Sequence, residues 1–491
     1  MCTTQDVRDP AEPRTSRIRG VSRRDLYAAG AALLLFLTAL FVGRAIRAEE
    51  DVLHIRWPPL YAYWDPHVGP GTVAAPLVAL LVVAYGPVLA RRLSWRGVLL
   101  AGWVGSLLWT WSLALIDGWQ RGVAERLTTK YEYLQSVPDV HDIGHTVRTF
   151  TDHILLNSPD NWPPHVAGHP PGALLTFVGL DRIGLAGGGW AAVWCVTLAS
   201  SAAVAVLLTV RALGDSGSDG TAEDGSDGAR KGGSADGLGG GELLARRAAP
   251  FVVLAPAAVW FGVSADAYFM GVGAWGVALL ALAATRRARA PRAAAVGAGL
   301  LFGLVLYLSY GLVLLGLVCL AVLAAARTAR PVPYVLLGML PWVIAFTAAG
   351  FWWFDGYTTL VERYYQGSAR FRPYGYFVWA NLAANVAVVG LATAAALRHA
   401  GGALPGAVRG LRRAPARGEA ALVLLVAGAA AAVLAADLSG MSKAETERIW
   451  LPFTLWLLPA AALLPTRGHR WWLAVQAAVP LTLNHLLFTG W

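Results

Sequence analysis

The stretch Val98-Leu99-Leu100-Ala101-Gly102-Trp103-Val104-Gly105-Ser106-Leu107-Leu108-Trp109-Thr110-Trp111-Ser112-Leu113-Ala114-Leu115-Ile116, followed at once by Asp117-Gly118-Trp119, decides the fold class. No residue from 98 to 116 is charged. As a helix rising about 1.5 Å per residue, the run reaches nearly across the ~30 Å hydrocarbon layer of a bilayer. A helix on the surface of a soluble domain would show a polar face, and this run has none.

Working outward, thirteen apolar runs of this kind are found along the 491 residues. The chain is 56% apolar and 14% charged, against roughly 25% charge in soluble globular proteins. A water-soluble enzyme is excluded. The sequence predicts an all-α polytopic membrane protein with about 13 transmembrane helices plus juxtamembrane or re-entrant helices. Spans are expected at about 26–42, 72–89, 98–116, 189–210, 249–265, 268–285, 293–309, 311–326, 333–353, 377–397, 419–436, 450–465 and 471–488. Cys2 lies near the N-terminus, and Cys195 and Cys319 sit inside apolar runs, so no disulfide scaffold is built.

Placement explains the net charge of +10. Alternate threading of the spans puts 27 of the 40 Lys and Arg residues on one side, with Arg286, Arg287, Arg289, Arg292 and Arg412, Arg413, Arg417 clustered there. By the positive-inside rule that side is cytoplasmic, which puts the N-terminus in the cytoplasm of a plasma (inner) membrane protein and leaves no role for nucleic acid. Residues 169–186 are apolar enough for a short span, but counting them as one would carry the Arg286–Arg292 cluster outside. They are expected to form a juxtamembrane or re-entrant helix. The expected organisation is a basic tail over 1–24, two N-terminal spans within 25–97, a membrane core over 98–465 and a last span within 466–491, with a disordered linker over 212–246 rich in Gly, Ser and Asp. Only three lysines among the basic residues, with abundant Ala and Gly, fit a GC-rich genome such as an actinobacterium's.

Eight of the ten histidines, His54, His67, His141, His145, His153, His165, His169 and His485, fall on the outer side with most of the acid, so function should face outward. Asp117 closes its span at the membrane edge, where an ionisable group costs energy unless hydrated or paired. It reads alone either as a functional acid or as a helix-end acid in headgroup water. Asp266, in Val263-Ser264-Ala265-Asp266-Ala267-Tyr268-Phe269, reads alone as a helix N-cap in a short outer turn. In Asn161-Trp162-Pro163-Pro164-His165-Val166-Ala167-Gly168-His169-Pro170-Pro171-Gly172 the Pro pairs impose extended backbone, which argues against a helical His165/His169 metal pair. Arg448, in Glu447-Arg448-Ile449-Trp450-Leu451-Pro452, either clamps a phosphate or pairs with Glu445 or Glu447.

Taken in order, these segments resemble the glycosyltransferase C (GT-C) superfamily, polytopic enzymes that take a sugar from a polyprenyl-phosphate carrier. Asp117 matches that family's first acidic motif, the helix-like Gly122 to Val137 its juxtamembrane helix, and His169-Pro170-Pro171-Gly172 its Pro-Pro motif. Asp266 matches the second acidic position of the protein mannosyltransferase and aminoarabinose transferase branch. Gly303-Leu304-Val305-Leu306-Tyr307-Leu308-Ser309-Tyr310-Gly311 is similar to its broken helix pair, and Glu447 to Pro452 to its late arginine motif. The acidic motif departs from the family in having Asp117-Gly118 rather than paired carboxylates, and Ser309-Tyr310 stands where relatives often carry a lysine.

The resemblance implies a membrane glycosyltransferase acting on the outer face, with a polyprenyl-phosphate sugar as donor and a glycan, protein or lipid as acceptor. It implies Asp117 as general base of an inverting transfer, and Asp266 holding the acceptor or sharing a divalent cation, Mg or Mn, with Asp117. His165, His169 and Tyr310 would line the acceptor or donor pocket, and Arg448, Arg363, Arg370 and Arg372 would bind phosphate. A transporter or lipid flippase is the alternative class, but it would gather its ionisable groups near the bilayer centre. A catalytically inactive protein of the same fold is the third.

Overall fold

The computed structural model describes residues 21–215 and 238–489. Most of the expected basic tail and the middle of the expected linker lie outside the described residues. Among the described residues, eight helices are long and apolar enough to cross a bilayer: Arg23–Glu49, Gly71–Arg92, Trp95–Asp117, Gly188–Gly214, Ala265–Ala284, Pro291–Leu308, Tyr374–Leu411 and Gly418–Leu438. A ninth is obtained if Val332–Ala348 and Trp353–Gln366, bent by 72° at their junction, count as one span. The protein is therefore an all-α multi-pass membrane protein.

The other expected spans are short, broken or less apolar. Residues 249–265 are divided between Gly240–Val253 and the one-turn helix Ala258–Phe261. Residues 311–326 open as a 3-10 turn, Tyr310–Leu314, before the helix Leu315–Ala326. After the one-turn helix Leu451–Thr454, residues Leu455–Leu463 run on as 3-10 helix around Pro459, where a missing amide hydrogen disrupts the α-helical ladder. The last is the 18-residue helix His469–Leu486.

The apolar segment at 169–186 forms the 12-residue helix Pro171–Arg182, about 18 Å long and so too short to span. The break expected near Ser309 is present: Pro291–Leu308 ends there, and Ser309 is extended at φ −156°, ψ 134°. The helix expected over Gly122 to Val137 is replaced by a π turn at Gln120–Ala124 and 3-10 turns at Arg126–Thr128 and Tyr133–Gln135. Tertiary ion pairs draw Arg126 and Glu132 inward from this segment, and that outweighs its helical periodicity.

Small residues let helices close on each other. A Cβ added to Gly299 would lie 2.0 Å from the Val335 carbonyl oxygen, and one added to Gly338 would lie 2.2 Å from that of Val296. Close backbone approach is a principal source of helix association in lipid. Gly299→Leu is expected to separate this helix pair and lower the melting temperature of the detergent-solubilised protein, at an overpacking cost of about 1–3 kcal/mol. Within the long helix Tyr374–Leu411 the backbone breaks at Gly390, φ 80°. Gln476 repairs the break, donating to the Val389 carbonyl at 2.7 Å and accepting from the Ala392 amide at 3.1 Å.

The two ends of the bundle differ chemically. At one end, Arg246 donates to the carbonyls of Ala90 and Leu93 at 2.7 and 2.9 Å, and Arg211 pairs with Glu242 at 2.9 Å. There too Asp25, fully buried, takes Arg398 and His399 from the far half of the Tyr374–Leu411 helix, with His399 Nε2 at 2.9 Å. These contacts fasten the first helix to the core. The other end carries Asp117, Asp266 and Arg448.

Candidate functional site

Asp117 ends a short 3-10 turn that continues the Trp95–Ala114 helix. Its side chain is only 2% exposed, and the cost of burying that charge is offset by partners from three segments. His67 Nε2 lies 2.6 Å from one carboxylate oxygen, Arg126 donates to the other at 2.8 Å, and Arg121 stands 3.6 Å away. Arg126 also donates to the Thr489 carbonyl. Arg121 reaches Asp65 at 2.6 Å and lies over the Phe488 ring.

Asp266 lies in the first turn of Ala265–Ala284, where the N-cap role belongs to Ser264, whose hydroxyl accepts from the Ala267 amide at 3.2 Å. The Asp266 carboxylate is thereby left to face Arg448, which donates to it at 2.6 Å. A further Arg448 nitrogen is 3.3 Å from His165 Nε2, and His165 Nδ1 is 2.7 Å from Glu132. The result is a buried relay, Glu132–His165–Arg448–Asp266, with Glu445 3.6 Å from the arginine. Burial alone would pull the Arg448 pKa down, but Asp266, Glu132 and Glu445 hold it above its usual value.

His169 hydrogen-bonds the His165 carbonyl at 2.7 Å through Nδ1, and its ring packs on Tyr133 and Phe269. Burial lowers its pKa, against the opposing pull of Asp266, so the ring is neutral at pH 7. The two histidines thus serve different partners rather than one ion.

Glu132 joins the halves of the site, because its charge acts on both Arg126 and Arg448. A second link is the extended stretch Tyr61–His67. Its strand Ala62–Trp64 pairs antiparallel with Leu487–Thr489; the Tyr61 amide donates to Glu447 at 2.7 Å, and His67 contacts Asp117. Fully extended, that stretch covers at most about 22 Å, which bounds the separation of its two anchor points.

The remaining expected residues lie elsewhere or are already engaged. Arg372 is buried and holds the carbonyls of Leu53 at 3.1 Å and Lys443 at 2.7 Å. Arg370 is exposed and lies over Phe371. Arg363 is half-buried with no hydrogen-bond partner for its Nε among the described residues. Tyr310 packs edge-on against Trp353, beside Tyr357, with its hydroxyl against Gly356.

A divalent cation shared by Asp117 and Asp266 does not fit this donor set. Each carboxylate is closed by an arginine, a cation already in place, whereas Mg²⁺ or Mn²⁺ favours octahedral oxygen ligation. Among the described residues no cluster of three or more His, Cys, Asp or Glu side chains could hold a metal.

Sequence reasoning did not single out Arg126 or Glu132, counted His67 only among the outward histidines, and named Glu447 only as a surface partner for Arg448. Glu447 is fully buried, and burial raises its carboxyl to about 7, although the Tyr61 amide favours the charged form. A raised carboxyl pKa means that the folded state holds a proton the unfolded chain releases above about pH 4.5. Stability should therefore fall as pH climbs from about 4.5 to 7 and level off above that. Glu447→Gln is expected to flatten that slope in thermal melts taken across this range.

Neither any known protein-family profile nor any curated protein matches the chain.

Proposed function

We propose that this protein is a GT-C-like membrane glycosyltransferase, with Asp117 as the general base that activates an acceptor hydroxyl. The observation that carries this reading is the convergence, at the less basic end of the bundle, of Asp117 with His67 and Arg126 and of Asp266 with Arg448 and His165. In this reading the four remaining segments also cross, giving thirteen crossings, and the basic end faces the cytoplasm of a plasma membrane. The site then opens outward, where a polyprenyl-phosphate sugar and a glycan, protein or lipid acceptor would meet.

The acceptor hydroxyl takes the place His67 occupies on Asp117 and passes its proton to that carboxylate. Its oxygen bonds to the anomeric carbon from the face opposite the phosphate. As that bond forms, the bond from carbon to phosphate oxygen breaks, and polyprenyl phosphate leaves with the electron pair, inverting the centre. The departing charge needs guanidinium donors. Arg121, whose side chain is 40% exposed beside Asp117, is best placed to supply one. Arg448 serves instead to hold Asp266 and His165 in place. No step requires a metal ion.

The test is transfer itself. Membranes containing the chain should move radiolabel from a polyprenyl-phosphate sugar to an endogenous acceptor above the level of membranes lacking it. A panel of such donors, mannose, glucose, arabinofuranose and galactosamine among them, giving no transfer would remove the proposal.

A further inference from the structure

Far from the candidate site, the helices Ala265–Ala284 and Leu315–Ala326 end beside the start of Val332–Ala348. From Asp266 to Ala284 the first of these covers about 27 Å, so this region belongs to the basic end of the bundle. A recess of about 330 Å³ opens there, lined by Ala283, Ala284, Arg286, Ala326, Arg327, Thr328, Arg330 and Pro331.

Its charge is one-sided. Three arginines and a threonine line the space, and no acidic residue is among its lining. Other arginines at this end are neutralised by acids of the fold, Arg211 and Arg246 by Glu242 and Arg398 by Asp25. Arg286, Arg327 and Arg330 make no ion pair with any acid among the described residues. The recess also adjoins a lipid-facing stripe on the helix that starts at its rim, with Leu336, Leu337 and Ile344 each more than half exposed. An anion carrying hydrocarbon chains would satisfy both features, its phosphate among the arginines and its chains along the leucines.

We propose that this recess binds the phosphate headgroup of an anionic phospholipid of the adjoining leaflet. Basic pockets between membrane helices hold such headgroups through charge-assisted hydrogen bonds. The acyl stripe favours a lipid over free phosphate, which would gain nothing from it.

The purified full chain in detergent tests this by thermal shift and native mass spectrometry. Phosphatidylglycerol should raise the melting temperature and remain bound, whereas phosphatidylcholine and inorganic phosphate at the same concentration should do neither. The R286Q/R327Q/R330Q variant should bind phosphatidylglycerol at least about tenfold more weakly, the loss expected for charge-assisted hydrogen bonds. Equal protection of parent and variant overturns the proposal, and so does protection by inorganic phosphate matching that by lipid. If the triple variant fails to insert, R330Q alone decides, because its side chain is exposed and holds nothing else. Unchanged affinity in R330Q overturns the proposal, and a loss that R330K largely restores supports it.

Discussion

Asp117→Asn is expected to lower sugar transfer by about 10²–10⁴-fold, the contribution of a positioned general base, while leaving the protein inserted and folded. The amide keeps the shape of the carboxylate and can still accept from Arg126, so the turn at Leu115–Asp117 should survive. What it loses is the capacity to take the acceptor's proton. The measurement is initial transfer rate per inserted molecule, with a melting curve alongside. A rate within twofold of the parent would show that the proton goes elsewhere. His67→Ala separates positioning from base chemistry. His67 lies 2.6 Å from Asp117 in the place assigned to the acceptor hydroxyl, so its removal should change the KM for acceptor more than kcat.

The largest effect on stability is expected from Arg448→Ala. It would strip the buried Asp266 carboxylate of its 2.6 Å partner and leave His165 without its neighbour at 3.3 Å. Removing one member of a buried ion pair costs about 3–5 kcal/mol, because the remaining charge stays desolvated. Replacing both members by apolar groups restores much of that loss in comparable systems. The Arg448→Leu/Asp266→Leu double variant should therefore melt closer to the parent than Arg448→Ala does. Full additivity of the single losses in a double-mutant cycle would mean that the pair is not coupled. Transfer separates this from catalysis, since a holding role for Arg448 predicts lost stability together with lost rate.

The site was partly legible in the chain. Asp117 could be found because a charge after twenty uncharged residues is anomalous in lipid, and Arg448 because it stands beside a span. Their partners could not be found in this way. His67 looks like any loop histidine, and Glu132 and Arg126 lie in a segment whose periodicity suggests an amphipathic helix. No spacing rule connects residue 67 to 117, or 132 to 165 and 448. Arg372, equally conspicuous in sequence, proves to hold backbone carbonyls at Leu53 and Lys443.

The chain alone determined that this protein lives in a bilayer and which of its helix ends carry positive charge, because hydrocarbon taxes every charge and the cost accumulates along each run regardless of neighbours. It likewise marked the short helix after Pro170, since Pro171 can open a helix and the charge pattern leaves no room for a full span there, whereas the break at Ser309 was expected only from the family resemblance. Only the tertiary structure decided which charges meet. An ion pair buried at a membrane edge is selected because the attraction between its charges offsets the desolvation cost of both, and that attraction depends on distances between helices that no local pattern encodes.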